Sequence, residues 1–167
     1  DSGVYATFWG SSVDSLVGGS ETNAVLGYST EVEGITYDVG YLRYIYAGAN
    51  SKNLGVEPDY NEVYASVAAK GAKLGVAYSD DYFGETGKFS YIYGSYGTEV
   101  SGVGLSVHVG YNKLYDSGAS FSVAKTDDDY IDYKVAASKE YQGIGFELAY
   151  IGTDLDEADL PGLNVDG

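Results

Sequence analysis

Cysteine and methionine are absent from this 167-residue chain, proline occurs twice, and histidine and tryptophan occur once each. Without cysteine there is no disulfide, no thiolate nucleophile and no thiolate-held zinc. A lone histidine, His108, does not make a typical zinc site by itself. Basic residues are scarce too: nine Lys and Arg face 25 Asp and Glu, for a formal charge of −16. That balance excludes nucleic acid as a partner, since phosphate binding draws its affinity from Lys and Arg. It leaves solubility, cation attraction or an acidic rim as the uses of the charge. No run of 18 apolar residues exists, so no helix is expected to span a membrane. Strands are not excluded by this, because a transmembrane β-strand needs only about ten residues of alternating character. No secretion signal precedes Asp1, and the chain opens almost inside a strand pattern, so it reads as a processed or truncated product.

What is abundant is glycine, with 24 residues, and tyrosine, with 19. Tyrosine favours strands, and glycine without a collagen period favours tight turns and close backbone approach. The stretch Tyr28–Tyr41 alternates, turns at Glu33-Gly34 and alternates again, and Tyr96–Tyr111 repeats it in altered form. A period of two around a glycine turn is a hairpin signal. Similar alternation places strands over Val4–Gly10, Thr22–Val32, Ile35–Ala47, Tyr60–Ala69, Lys73–Ser79, Phe89–Tyr96, Val103–Asn112, Tyr130–Glu140 and Ile144–Gly152. Ser11–Ser20, Gly48–Asp59 and Asp80–Gly87 carry loop chemistry. Tyr115–Asp129 is mostly loop with room for a short strand at Phe121–Ala124, and Thr153–Gly167 is an acidic tail. The expectation is one all-β domain over residues 1–167, an antiparallel up-and-down meander of roughly eight to ten strands closing into a β-barrel. The phenylalanine-to-tyrosine strand at 89–96 has apolar side chains on both parities, which leaves its orientation open. Tyr28, Tyr41, Tyr78, Tyr111 and Tyr150 near strand ends suit an aromatic belt at a bilayer, and equally the outer layer of a soluble sandwich.

The segments Asp1–Asp14, Tyr28–Tyr41, Glu62–Ala65, Tyr78–Gly84, His108–Tyr111, Ala137–Lys139 and Tyr150–Asp154 resemble, in order, the Gcw_chp family of uncharacterised proteobacterial proteins. The resemblance covers nearly the whole chain through strand and turn motifs and carries no catalytic signature. It implies an outer-membrane β-barrel of a Gram-negative bacterium. It also implies two further strands before Asp1 and a closing strand after the tail; without them, unpaired edges would invite strand addition by another copy.

On the barrel reading, Asp38, Glu62, His108, Asp132, Lys134 and Glu147 point into the lumen, since a charge at the lipid midplane costs about 2–4 kcal/mol. Their bland alternative is a set of solvated face charges. Arg43 has the opposite parity and belongs near a rim, where it can snorkel. Asp80, Asp81, Asp127, Asp128, Asp129, Asp154 and Asp156 are weak candidates for Ca²⁺, the one cofactor considered, because calcium takes several converging oxygens; none has EF-hand spacing. Tyr5, Phe8 and Trp9 are interface candidates or simple packing. No G-x-S-x-G is present and no enzyme is expected. The leading expectation is therefore a narrow, cation-favouring channel or passive surface protein, with lipid, other copies of itself or small cations as partners. The alternatives are a subunit of an extracellular filament or tube built by barrel stacking or strand-edge pairing, and a soluble β-sandwich binding module.

Overall fold

The computed structural model describes residues 3–49, 55–115 and 129–155. They form nine strands in one sheet, each pairing antiparallel with the next. β1 is Val4–Ser12, β2 Ser20–Val32, β3 Ile35–Ile45, β4 Tyr60–Ala69 and β5 Ala72–Ser79; β6 is Phe89–Val100, β7 Val103–Leu114, β8 Asp129–Tyr141 and β9 Ile144–Thr153. A single 3₁₀ turn, Ser15–Val17, interrupts the β1–β2 connection. The expected strand at 121–124 and most of the acidic tail lie outside the described residues.

Four hairpins share one turn type. Glu33-Gly34, Lys70-Gly71, Ser101-Gly102 and Gln142-Gly143 all have both residues at positive φ, between 50° and 84°. This is the type I′ pair, whose twist matches that of the flanking strands. These turns lie at one end of the sheet, and the longer connections lie at the other. The repeated hairpin read from the sequence is β2–β3 and again β6–β7.

Alternation divides the sheet into two faces. One row crosses eight strands as Val4, Tyr28, Val39, Ala65, Val76, Ile92, Tyr111 and Ile131. Its larger members stay between 40% and 61% exposed, so this apolar face is uncovered. The neighbouring row on the other, polar face runs Tyr5, Gly27, Gly40, Tyr64, Ala77, Tyr91, Asn112 and Tyr130. Here tyrosines lie across glycines: the ring of Tyr64 occupies the space a Cβ on Gly40 would need, and Tyr5 does the same at Gly27. This row also settles β6, whose Phe89, Tyr91 and Tyr93 belong to the polar face.

Apart from Ala136 in the middle of β8, the buried apolar side chains gather on the polar face at the long-loop end. Tyr46, Tyr60, Phe89 and Leu114 are all at most 8% exposed. The 80–88 loop folds over them. Tyr82 stacks on Phe89 with ring centroids 4.0 Å apart and meets Tyr60 edge-on, while Phe83 meets Tyr46 edge-on. Tyr44 stacks on Tyr60 at 4.1 Å. Backbone bonds hold the loop in place, with Tyr82 N donating to Gly87 O at 2.7 Å and Thr86 N to Tyr82 O at 3.2 Å.

Among the described residues the expected barrel does not close. β1 and β9 are the two edges and do not pair with one another. Strand count supplies a physical reason: in a nine-strand meander the first and last strands run the same way, so joining them would put one parallel ladder into an antiparallel sheet. Outer-membrane location and lipid contact fall with the barrel, because an open edge in hydrocarbon would leave its N–H and C=O groups without partners. The porin-like and transmembrane-strand expectations are corrected on the same ground. No described helix is long and apolar enough to cross a membrane.

Candidate functional site on the polar face

Asp38, Glu62, His108, Asp132, Lys134 and Glu147 all occupy the polar face, by the alternation of their strands and the registers between them. Among the described residues there is no closed lumen for them to line. The sheet separates them into three groups instead.

The largest group spans β6 to β9. Register sets His108 beside Lys134 and Gly110 beside Asp132. The Tyr91 ring crosses Gly110 and brings its hydroxyl 2.7 Å from His108 Nε2, while donating to Asp132 Oδ1 at 3.2 Å. His108 Nε2 lies 3.4 Å from the same carboxylate oxygen. Asn112 Nδ2 donates to the other oxygen of Asp132 at 2.8 Å. Tyr93 tilts over the imidazole with centroids 5.5 Å apart. Lys134 Nζ, next along β8, donates to Glu147 Oε1 at 2.7 Å. Burial, reinforced by the Asp132 charge, pushes the Tyr91 hydroxyl above the usual phenol range, so it stays a neutral donor.

A second group joins β1, β3 and β4. The Tyr5 hydroxyl donates to Asp38 Oδ1 at 2.7 Å and sits 2.5 Å from the Tyr64 hydroxyl. Burial first, then these two bonds, raise the Tyr5 phenol. Tyr5 is therefore committed to the polar face, whereas Phe8 and Trp9 stay 78% and 54% exposed.

Glu62 stands apart beneath the aromatic cap. Burial pushes its carboxyl up from 4.5 to about 7, only partly offset by the Tyr44 hydroxyl at 3.4 Å. The same burial raises the phenols of Tyr44, Tyr60 and Tyr82. Ser79 Oγ is fully buried nearby in sequence register and has no partner among the described groups.

Arg43 lies on the apolar face at the end of β3, where it ion-pairs with Asp59 at 3.0 Å and donates to Asn61 at 3.1 Å. The weak calcium candidates that are described, Asp80, Asp81, Asp129 and Asp154, do not converge. No cluster of three or more metal-ligating residues occurs among the described residues. Asp81 accepts from Gly87 N at 3.3 Å, Asp129 from the Tyr111 hydroxyl at 2.6 Å, and Asp154 from Ile131 N at 2.6 Å. These are local loop and edge bonds; the one from Tyr111 holds the Asp129 carboxyl below the usual carboxylate range. Asp127, Asp128 and Asp156 lie outside the described residues.

Sequence reasoning missed Tyr91, Tyr82 and Phe83. A signal for the last two was present, because an adjacent pair of aromatics inside an Asp- and Gly-rich turn has little reason to stay in water. Tyr91 could have been placed by carrying the alternation of β7 back across the Ser101-Gly102 turn.

Fold and site together define an open, antiparallel, tyrosine- and glycine-rich sheet with a hydrogen-bonded polar face and an uncovered apolar one. The chain belongs to the Gcw_chp family, described as bacterial protein of unknown function, whose model matches residues 1–164. No curated protein and no solved structure matches it.

Proposed function

We propose that this chain is a structural subunit that acts by joining its sheet to other copies of itself, in an extracellular assembly. The observation that carries this reading is the openness of the sheet among the described residues: β1 and β9 stand at its two ends without pairing each other, and its apolar face is exposed across its width. Unpaired edges are templates for strand addition, and monomeric proteins usually blunt them with charge, proline or bulges. An apolar face of this width exceeds what a lone soluble domain ordinarily shows. The polar face supports the same reading by what its groups are engaged in. Its tyrosine hydroxyls and carboxylates bond to each other across strands, which stiffens a sheet that has no second layer among the described residues. No serine, threonine or cysteine bonds to His108 among the described contacts.

The charge of −16 opposes association at low salt. Screening shortens that repulsion to about 8 Å at physiological ionic strength. The test is the mass of the purified full chain in detergent-free buffer at rising salt, followed by sedimentation and negative-stain microscopy. Oligomers or ordered polymers that grow with salt are expected. A monodisperse monomer at every salt concentration would sink the proposal.

A further inference from the structure

We propose that β9 is a two-fold docking edge, pairing antiparallel with β9 of a second copy so that Leu148 meets its own symmetry mate at the axis. This rests on the assembly reading above and adds the strand, the symmetry and the register.

The strand comes first. β9 is exposed along nearly its whole length, and Leu148, Ile151 and Tyr150 are 80%, 70% and 67% exposed. Its apolar face reads Ile144, Phe146, Leu148 and Tyr150 without interruption, whereas β1 breaks its own row with Ala6 and Gly10. Its one charged side chain, Glu147, is already paired with Lys134. There is no proline, lysine or bulge to blunt it.

Symmetry follows from topology. Translating one copy beside another would set β9 against β1 in parallel, because both strands run the same way in the meander. A two-fold axis perpendicular to the sheet sets β9 against β9 antiparallel and continues the existing ladder. Both copies then keep their apolar faces on the same side.

The register is fixed by phase and charge. The two-residue type I′ turn at Gln142-Gly143 makes Tyr141 and Ile144 a hydrogen-bonded pair. Even-numbered residues of β9 therefore bond inward to β8, and odd-numbered ones aim N–H and C=O outward. Opposed residues must share a face, so a two-fold register centres on a single residue. Centring on Glu147 would set two carboxylates directly opposite, which is unfavourable. Centring on Ala149 would put Phe146 against Gly152 and Glu147 against Ile151. Centring on Leu148 sets Phe146 against Tyr150 and Glu147 against Ala149, and overlaps Ile144 to Gly152. It also forms about eight intermolecular backbone hydrogen bonds from the outward-facing residues.

The chain has no native cysteine, so one introduced cysteine reports unambiguously. In the Leu148 register that residue faces its mate in a non-hydrogen-bonded pair, with Cα atoms about 4.5 Å apart. This lies inside the disulfide range of about 4.4–6.8 Å. Each step away from the axis separates the mates by about 7 Å more. Under mild oxidation of the full chain, Leu148→Cys is expected to give covalent dimers. Phe146→Cys, Tyr150→Cys and, on β1, Ala6→Cys should give few.

A charge pair gives a second readout independent of oxidation. Ala149→Lys faces Glu147 of the partner subunit and should tighten dimers; Ala149→Glu should weaken them. The expected separation is about tenfold in dissociation constant, with circular dichroism confirming that both variants keep the sheet. Oligomers whose cross-linking peaks at another residue, or with no difference between the two charge variants, overturn the β9 register while leaving self-association standing. A monomer throughout overturns both.

Discussion

Glu62→Gln is expected to stabilise the protein above neutral pH and to leave it nearly unchanged in acid. The carboxyl sits under Tyr44 and the aromatic cap, and burial lifts it from 4.5 to about 7 in the folded state. A folded-state value above the unfolded one means that the folded chain holds the proton more tightly. Glu62 thus costs nothing below pH 4.5, and its contribution is lost progressively as pH rises through about 7. At about 1.4 kcal/mol per pH unit, the full difference sets a ceiling of about 3 kcal/mol. Residual solvent contact brings the expected gain for glutamine to about 2–3 kcal/mol at pH 8. For a domain of this length that is about 5–10 °C in melting temperature. Glutamine keeps a carbonyl for the Tyr44 hydroxyl, so the hydrogen bond survives and only the charge is removed. The assay is the melting temperature of wild type and variant from pH 4 to pH 8.5, read as their difference, which cancels the background repulsion of the other carboxylates. A difference that does not change with pH would refute the placement of Glu62 in a desolvated site.

Further substitutions test the polar face. Gly40→Ala would drive a methyl into the Tyr64 ring and hydroxyl and should cost about 1–3 kcal/mol in urea denaturation, whereas Gly145→Ala, with nothing within 4 Å of its Cβ, should be neutral or stabilising by a few tenths of a kcal/mol, about the gain of a removed strand glycine. Tyr91→Phe keeps the ring over Gly110 but removes the hydroxyl between His108 and Asp132. It should cost about 1–2 kcal/mol, and a double-mutant cycle with Asp132→Asn should show coupling.

The strands were legible because they rest on local chemistry. Val103 to Asn112 alternates without a fault, and each X-Gly pair names a turn whose backbone accepts little else. The shared face of Asp38 and His108 was legible because the two hairpins repeat, Asp38-Val39-Gly40-Tyr41 matching His108-Val109-Gly110-Tyr111. Closure was not. A period of two tells which way a side chain points, and says nothing of whether the last strand returns to the first. The His108–Asp132 pairing was also hidden, because the stretch of sequence between β7 and β8 is too long for the register across it to be read from parity. Tyr91 was obscured by its neighbours: Phe89 and Tyr93 on one parity, Ile92 and Tyr96 on the other, give no contrast between the faces. Tyr82 and Phe83 looked like turn residues because loop composition reports flexibility of the backbone, not the rings it delivers.

The uniform turns bear on how such a sheet can change in length. The described architecture is one strand followed by four hairpins, each closed by its own type I′ pair. Duplicating or deleting a hairpin as a block inserts or removes two strands at once and disturbs no register elsewhere. Width then varies in steps of two, while the relative direction of the outermost strands never alters. A lineage growing in this way could widen or narrow freely without ever reaching the even count that lets an antiparallel sheet close on itself.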